Sequence, residues 1–229
     1  MGESKYPAAD SVVSGDFCPL LRSSLLAIVF CTVAVIICYY FVDRPVAVFV
    51  HEYQIQKVEE FRWLTEPPPL MQSWSPLVLV SLAVRRAFGE WRTWQRVLFV
   101  ACVSLIVADQ CRESIGDLCG RYWPETWRNN NPSFIGTGDY GFHPFEVSDD
   151  VGSFPSGHAA RIAAFATVFW LALPRWRWAY AIMAVPMLVA LVAMNYHFVG
   201  DVIAGTVLGA LVGTWAERIL TESTRSTGS

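Results

Sequence analysis

The chain has 229 residues, a formal net charge of −3, 54% hydrophobic residues and only 16% charged ones. A soluble domain carries about 25% charged residues, so this composition points to a membrane protein. The negative net charge argues against nucleic acid as a partner, because binding a phosphate backbone needs a basic surface.

A spanning helix needs about 20 mostly apolar residues. The polar start, Met1–Ser24, reads as a mobile cytoplasmic segment. The run "LLAIVFCTVAVIICYYFV", Leu25–Val42, reads as a first span. No small-residue cleavage pattern follows it, so it reads as retained and not as a removed signal peptide. Asp43–Leu70 is amphipathic, aromatic and partly charged, and predicts one or two short helices lying at the membrane surface. Further spans follow at about Gln72–Phe88 and Val97–Leu118. A polar loop rich in Gly, Pro and Asn, Gly120–Phe154, separates these from a fourth span that opens at "PSGHAAR" and ends near Pro174. "PRWRW" reads as a short turn, and the last two spans cover about Ala179–Asn195 and Val199–Trp215. The expected fold is all-α: a six-transmembrane-helix bundle with short interfacial helices and an outward-facing active-site loop. It comprises a membrane domain over 25–217, flanked by polar cytoplasmic segments 1–24 and 218–229.

Orientation follows from Lys and Arg in the loops. Six spans place ten basic residues on the side of the termini and seven on the other, and the short second and fourth connections are basic with almost no acid. The termini are therefore expected in the cytoplasm, and loops Asp43–Leu70 and Gly120–Phe154 outside, as in a protein of a bacterial inner membrane. Ten tryptophans suit two interfaces. The six cysteines fall mostly inside apolar runs without a C-x-x-C pair, and read as small buried hydrophobes. No clustered metal-ligand spacing is present.

Ionisable residues at span ends are functional candidates, and three such clusters converge on the outer side. "CRESIGDLCGRYWPETW" ends the third span, "FPSGHAAR" opens the fourth, and "MNYHFVGDVIAG" bridges the last two. On a helix, His197 and Asp201 share a face. A carboxylate holding one ring nitrogen frees the other as a nucleophile; the alternative is a pair that only caps a helix. In "PSGH", Ser156 and Gly157 stand at a positive helix end suited to an anion. His158 beside them is placed to donate a proton; the alternative is an ordinary cap with an interfacial histidine.

Together, "FPSGH", H-x3-D and an upstream basic "GRYWP" resemble the three signatures of the type 2 phosphatidic acid phosphatase superfamily, K-x6-R-P, P-S-G-H and S-R-x5-H-x3-D. The resemblance covers about Asp43 to Gly209. It implies a metal-independent membrane hydrolase, without a cofactor, that acts on a lipid phosphate or pyrophosphate through a phosphohistidine. His197 would attack phosphorus, Asp201 would orient it, and His158 would protonate the leaving group and then activate water. Ser156, Gly157 and Arg121 would bind phosphate.

Two of the family's cations have no counterpart. The first-motif lysine falls on Ser114 or Gly116, depending on the frame, and Leu191 stands where the third motif has arginine. A phosphate dianion needs charge-assisted donors. Arg112, one turn before Gly116, and Arg161, one turn after His158, are the candidate replacements. Expected partners are a phosphorylated lipid substrate and membrane lipids; the sequence names neither the lipid nor the oligomeric state. Two alternatives remain open: a phosphotransferase that passes phosphate to a second lipid, and a family member that binds phospholipid without hydrolysis. "ETWRNNNPSF" and "YGFHPF", with Arg128 and His143, read equally as a lid or a surface loop, and His51 as an interfacial residue.

Overall fold

Helix α1, Asp10–Ile37, passes through one π-helical turn, Cys38–Val42, into α2, Asp43–Glu52. The computed structural model describes residues 10–126, 130–146 and 151–226. The expected first span therefore lies inside a longer helical unit that starts within the segment read as a mobile lead-in. Pro45 brings no backbone donor, and the chain meets it just after the wider π turn. Inside that turn the Tyr39 carbonyl accepts the Tyr140 hydroxyl at 2.6 Å.

Short pieces follow as expected: a 3₁₀ turn, Ile55–Lys57, and α3, Glu59–Thr65. Helix α4, Pro67–Ala87, opens on the three prolines, where a missing N–H costs no intrahelical bond. Helix α5 covers Thr93–Cys119 and stops at Gly120, whose φ of 55° is left-handed. A Cβ there would lie 2.0 Å from the His143 carbonyl oxygen, so the loop's return path requires glycine. The loop contains no strand among the described residues; two isolated bridges, Arg121 with Phe142 and Trp123 with Ser133, fold it on itself. Then come α6, Gly157–Ala172, a 3₁₀ turn at Pro174–Trp176, α7, Arg177–Ala193, and α8, Val199–Ser226. The tail read as polar and separate continues α8 to Ser226, with an Arg218–Glu222 pair one turn apart at 3.4 Å.

Among the described residues, three segments are both long and apolar enough to cross a membrane: Phe17–Glu52, Pro174–Ala193 and Val199–Glu222. Helix α6 is apolar but has 16 residues. Helices α4 and α5 are long enough but more polar; α5 carries Asp109, Arg112 and Glu113 in its second half. The chain is thus an all-helical membrane protein whose α1 faces outward along most of its length, exposing Phe30, Val33 and Ile37 as lipid-facing side chains do. The six cysteines are free, with Cys38 and Cys102 buried and Cys18 exposed.

The centre of the bundle is the contact of α6 with α8. Gly205, Gly209 and Gly213 recur every four residues and form one stripe on α8. Cβ atoms at these positions would lie 2.3 Å from the Ser156 oxygen, 2.2 Å from the Ala160 oxygen and 2.6 Å from the Ala164 oxygen. The two backbones therefore touch, with the fully buried Ala160 and Ala164 opposite. Ala108 of α5 closes this cluster from the side. Gly209→Ala must push α8 off α6, and is expected to destabilise the protein by about 1–3 kcal/mol. Thermal unfolding in detergent checks this, and an unchanged midpoint would show that the helices are not in backbone contact.

Candidate active site

The ends of α5, α6 and the α7–α8 turn surround a cavity of about 350 Å³. Arg112 comes from α5, Gly157, His158 and Arg161 from α6, and Tyr196 and His197 from the turn. The loop adds Trp123 and Gly152, and the α3–α4 junction adds Thr65, Glu66 and Pro69. The three clusters read from the sequence do meet.

His197 is not on a helix. Asn195 is left-handed, with φ 52°, and the Leu191 carbonyl accepts from the Tyr196 and His197 amides at 3.1 and 3.3 Å. This tight turn ends α7, and α8 starts only at Val199. The H-x3-D pair is therefore not a helical i,i+4 pair, although the fold still brings its members together. His197 Nδ1 lies 3.9 Å from Asp201 Oδ2 and 2.9 Å from the Ser153 carbonyl oxygen. A carbonyl can only accept, so Nδ1 carries the hydrogen and Nε2 keeps its lone pair. Trp123 packs on the ring at 5.2 Å, and the His158 ring stands 6.1 Å away, centroid to centroid.

Asp201 is fully buried. Its Oδ2 accepts from Ser153 Oγ at 2.6 Å and from the Phe198 amide at 3.0 Å, so it caps α8 as well as lying beside His197. Its Oδ1 accepts from Arg121 Nη1. Arg121 does not line this cavity. It is fully buried, and its other terminal nitrogen donates to Asp43 Oδ2 at 2.7 Å. Asp43 Oδ1 in turn accepts from the Gly200 amide at 3.0 Å. The rings of Phe198 and Phe142 cover the guanidinium at 4.3 and 4.9 Å. Burial alone would push the Arg121 pKa down, but the Asp201 and Asp43 carboxylates hold it above its ordinary value. Burial also pushes the Tyr140 phenol up to about 12, so it stays protonated and keeps its bond to Tyr39.

Ser156 departs from expectation too. It is fully buried, and its hydroxyl accepts from the Ala159 amide at 3.4 Å as the cap of α6. Gly157 does line the cavity. A Cβ there would lie 2.8 Å from Arg112 Nε, so glycine makes room for the Arg112 guanidinium across the start of α6. Arg161 faces the same cavity, as expected. It holds Asp109 Oδ1 through Nε at 2.8 Å and Nη2 at 2.7 Å. Arg112 Nε lies 3.5 Å from that same oxygen.

The sequence reading did not single out Asp43, Asp109, Ser153 or Trp123. The two acids carry a usable signal, since each lies in or beside an apolar run. Among the described residues of the loop Gly120–Phe154, Trp123 and Gly152 line the cavity, and neither belongs to the two stretches read as lid or surface. His143 packs on Tyr122 at 4.6 Å, and Arg128 lies outside the described residues. His51 is exposed and pairs with Glu125 at 3.0 Å.

The sequence pattern of the PAP2 superfamily matches residues 20–225. A lipid A 1-phosphatase of Rhizobium johnstonii is 29% identical over 134 residues, 58% of this chain and 50% of that protein. One from Rhizobium etli is 39% identical over 74 residues, 31% of this chain and 32% of that protein. The matched stretch thus spans half or less of the length of these relatives. A crystal structure described as the first transmembrane PAP2 type phosphatidylglycerolphosphate phosphatase, from Bacillus subtilis, gives a TM-score of 0.49 at 16% identity. It covers 87% of this chain and 96% of that one. With a match running almost from end to end and the P-S-G-H and H-x3-D histidines facing each other across one cavity, the chain belongs to the PAP2 superfamily.

Proposed function

We propose that this protein is an integral membrane phosphatase that hydrolyses a lipid phosphate or pyrophosphate through a phosphohistidine. The observation that carries the proposal is the cavity itself, which holds a histidine with a free Nε2, a second histidine opposite and two arginines in its wall. His197 Nε2 attacks phosphorus, and the bond to the leaving oxygen breaks. His158, which must first take up a proton, gives it to that oxygen. Neutral His158 then takes a proton from water, and the resulting hydroxide displaces orthophosphate from His197. Arg112 and Arg161 neutralise the phosphoryl oxygens as charge builds on them. The Ser153 carbonyl and Asp201, both beside Nδ1, fix the orientation of the imidazole.

The relatives' names support a phosphorylated lipid as substrate, and the lipid A phosphatases make lipid A one candidate. We place the site at the outer face of a six-span bundle in a bacterial inner membrane, with cytoplasmic termini. The loop basic residues and the shared end of α5, α6 and α8 support this placement.

The test is orthophosphate release by the purified protein in detergent, from phosphatidate, phosphatidylglycerol phosphate, polyprenyl pyrophosphate and lipid A. Release from at least one is expected. Arg112→Ala should lower kcat/KM by about 100- to 1,000-fold, as loss of one charge-stabilising donor does. No release from any of the four would overturn the proposal, and phosphate recovered on a second lipid would make the protein a transferase.

A further inference from the structure

Asp109 belongs to no motif, yet it is the carboxylate on which both cavity arginines converge. It sits in the middle of α5 and is 5% exposed. Its Oδ1 receives Arg161 Nε and Nη2 at 2.8 and 2.7 Å and has Arg112 Nε at 3.5 Å. Its Oδ2 accepts from Gln72 of α4. One buried carboxyl group therefore ties α4, α5 and α6 together at the cavity wall.

Two guanidinium groups so close repel each other, and without a shared anion they would separate or turn toward lipid headgroups. Arg161 keeps three of its five N–H donors after bonding Asp109, and it lines the cavity. Arg112 lies across Gly157 at the start of α6, with Glu113 Oε1 3.3 Å from its Nη2. Asp109 sets one buried negative charge against the two arginines and fixes the direction of both forks, while Glu113 on the exposed side of Arg112 is screened by solvent. What remains suits the arrival of a phosphoryl group, whose oxygens can take the donors that Asp109 leaves unused.

We propose that Asp109 is a positioning residue that holds Arg161 and Arg112 as a paired cation for the phosphoryl group. This rests on the phosphatase reading above. It assigns the two cations missing from the family's motifs to a device built on α5 and α6, held by a carboxylate outside any motif.

The experiment compares wild type, Asp109→Asn, Arg161→Ala and the double variant. Each is measured for kcat, KM and competitive inhibition by orthophosphate. Asp109→Asn is expected to lower kcat/KM by about 10- to 100-fold, as misplacing a binding group does, and to raise the orthophosphate inhibition constant in parallel. The double variant should lose clearly less than the product of the two single losses, because Asp109 acts through Arg161 and, without it, has only Arg112 left to position. Losses that multiply, or an inhibition constant that stays put while only the melting midpoint drops, would overturn the idea. If Asp109→Asn does not fold, Asp109→Glu, which keeps the charge but displaces it, is read in the same way. If wild type releases no phosphate from any lipid, stabilisation by orthophosphate alone is read instead. Stabilisation of wild type but not of Asp109→Asn supports the positioning role while the phosphatase reading fails, and no stabilisation of wild type overturns both.

Discussion

His158→Ala is expected to take phosphate onto the protein and fail to release it. The variant keeps His197 with its free Nε2, the Ser153 carbonyl on Nδ1 and Asp201 beside it. Attack on phosphorus thus remains possible when the leaving group departs without a proton, as a nitrophenolate does. Water then finds no base, and the phosphohistidine persists. Labelled nitrophenyl phosphate should leave acid-labile, base-stable label on His158→Ala, approaching one phosphate per chain. His197→Ala should carry no label and should lose at least about 1,000-fold in turnover of the lipid substrate, the scale seen when a nucleophile is removed. Label on His197→Ala, or turnover near wild type, would place the chemistry elsewhere.

The second large effect is on folding. Arg121→Met leaves Asp43 and Asp201 buried with no cation between them, under the rings of Phe198 and Phe142. Removing one partner of a buried ionic cluster costs about 3–5 kcal/mol, which for a chain of this size lowers the melting midpoint by roughly 6–20 °C. Adding Asp43→Asn to Arg121→Met should recover part of the loss, because one of the two stranded charges is gone. By contrast, Arg112→Ala should stay within about 1 kcal/mol of wild type, since that side chain lies at the cavity and Asp109 still has Arg161. Thermal unfolding in detergent separates the two arginines. A wild-type midpoint for Arg121→Met would return Arg121 to the pool of candidate phosphate ligands.

That contrast shows where sequence reading reaches and where it stops. Residue type and spacing singled out His158, His197, Asp201, Arg112 and Arg161, which the fold brings to or beside one cavity, because an ionisable group at the end of an apolar run is costly unless used. Spacing could not say whether Arg121 faces the cavity or a pair of carboxylates. The answer depends on Asp43, 78 positions away in sequence, reaching Arg121 from the end of the π turn. Ser156 is ambiguous for a local reason: a serine before a helix can serve an anion or its own backbone, and here its hydroxyl accepts from the Ala159 amide. His197 and Asp201 look helical by spacing, but the left-handed Asn195 ends α7 early and leaves His197 in the turn. The helices themselves were legible from hydrophobic runs, whereas their ends were not. Helix α8 extends well past its apolar stretch, because a polar sequence without helix breakers can continue a helix already nucleated in the membrane, and α1 starts before its apolar stretch although Gly15 and Pro19 lie in that lead-in.

The glycine stripe on α8 has a consequence for how the site keeps its shape. Asp201 rides on the first turn of α8 and His158 on the first turn of α6, and the stripe begins one turn beyond Asp201. Backbone resting on backbone acts as a hard stop, unlike long side chains that can bend and slide. When the bilayer thins, thickens or curves, the two helices must tilt as one rigid plank. The spacing between His158 and Asp201 is thereby insulated from the lipid environment, which a membrane protein cannot otherwise choose.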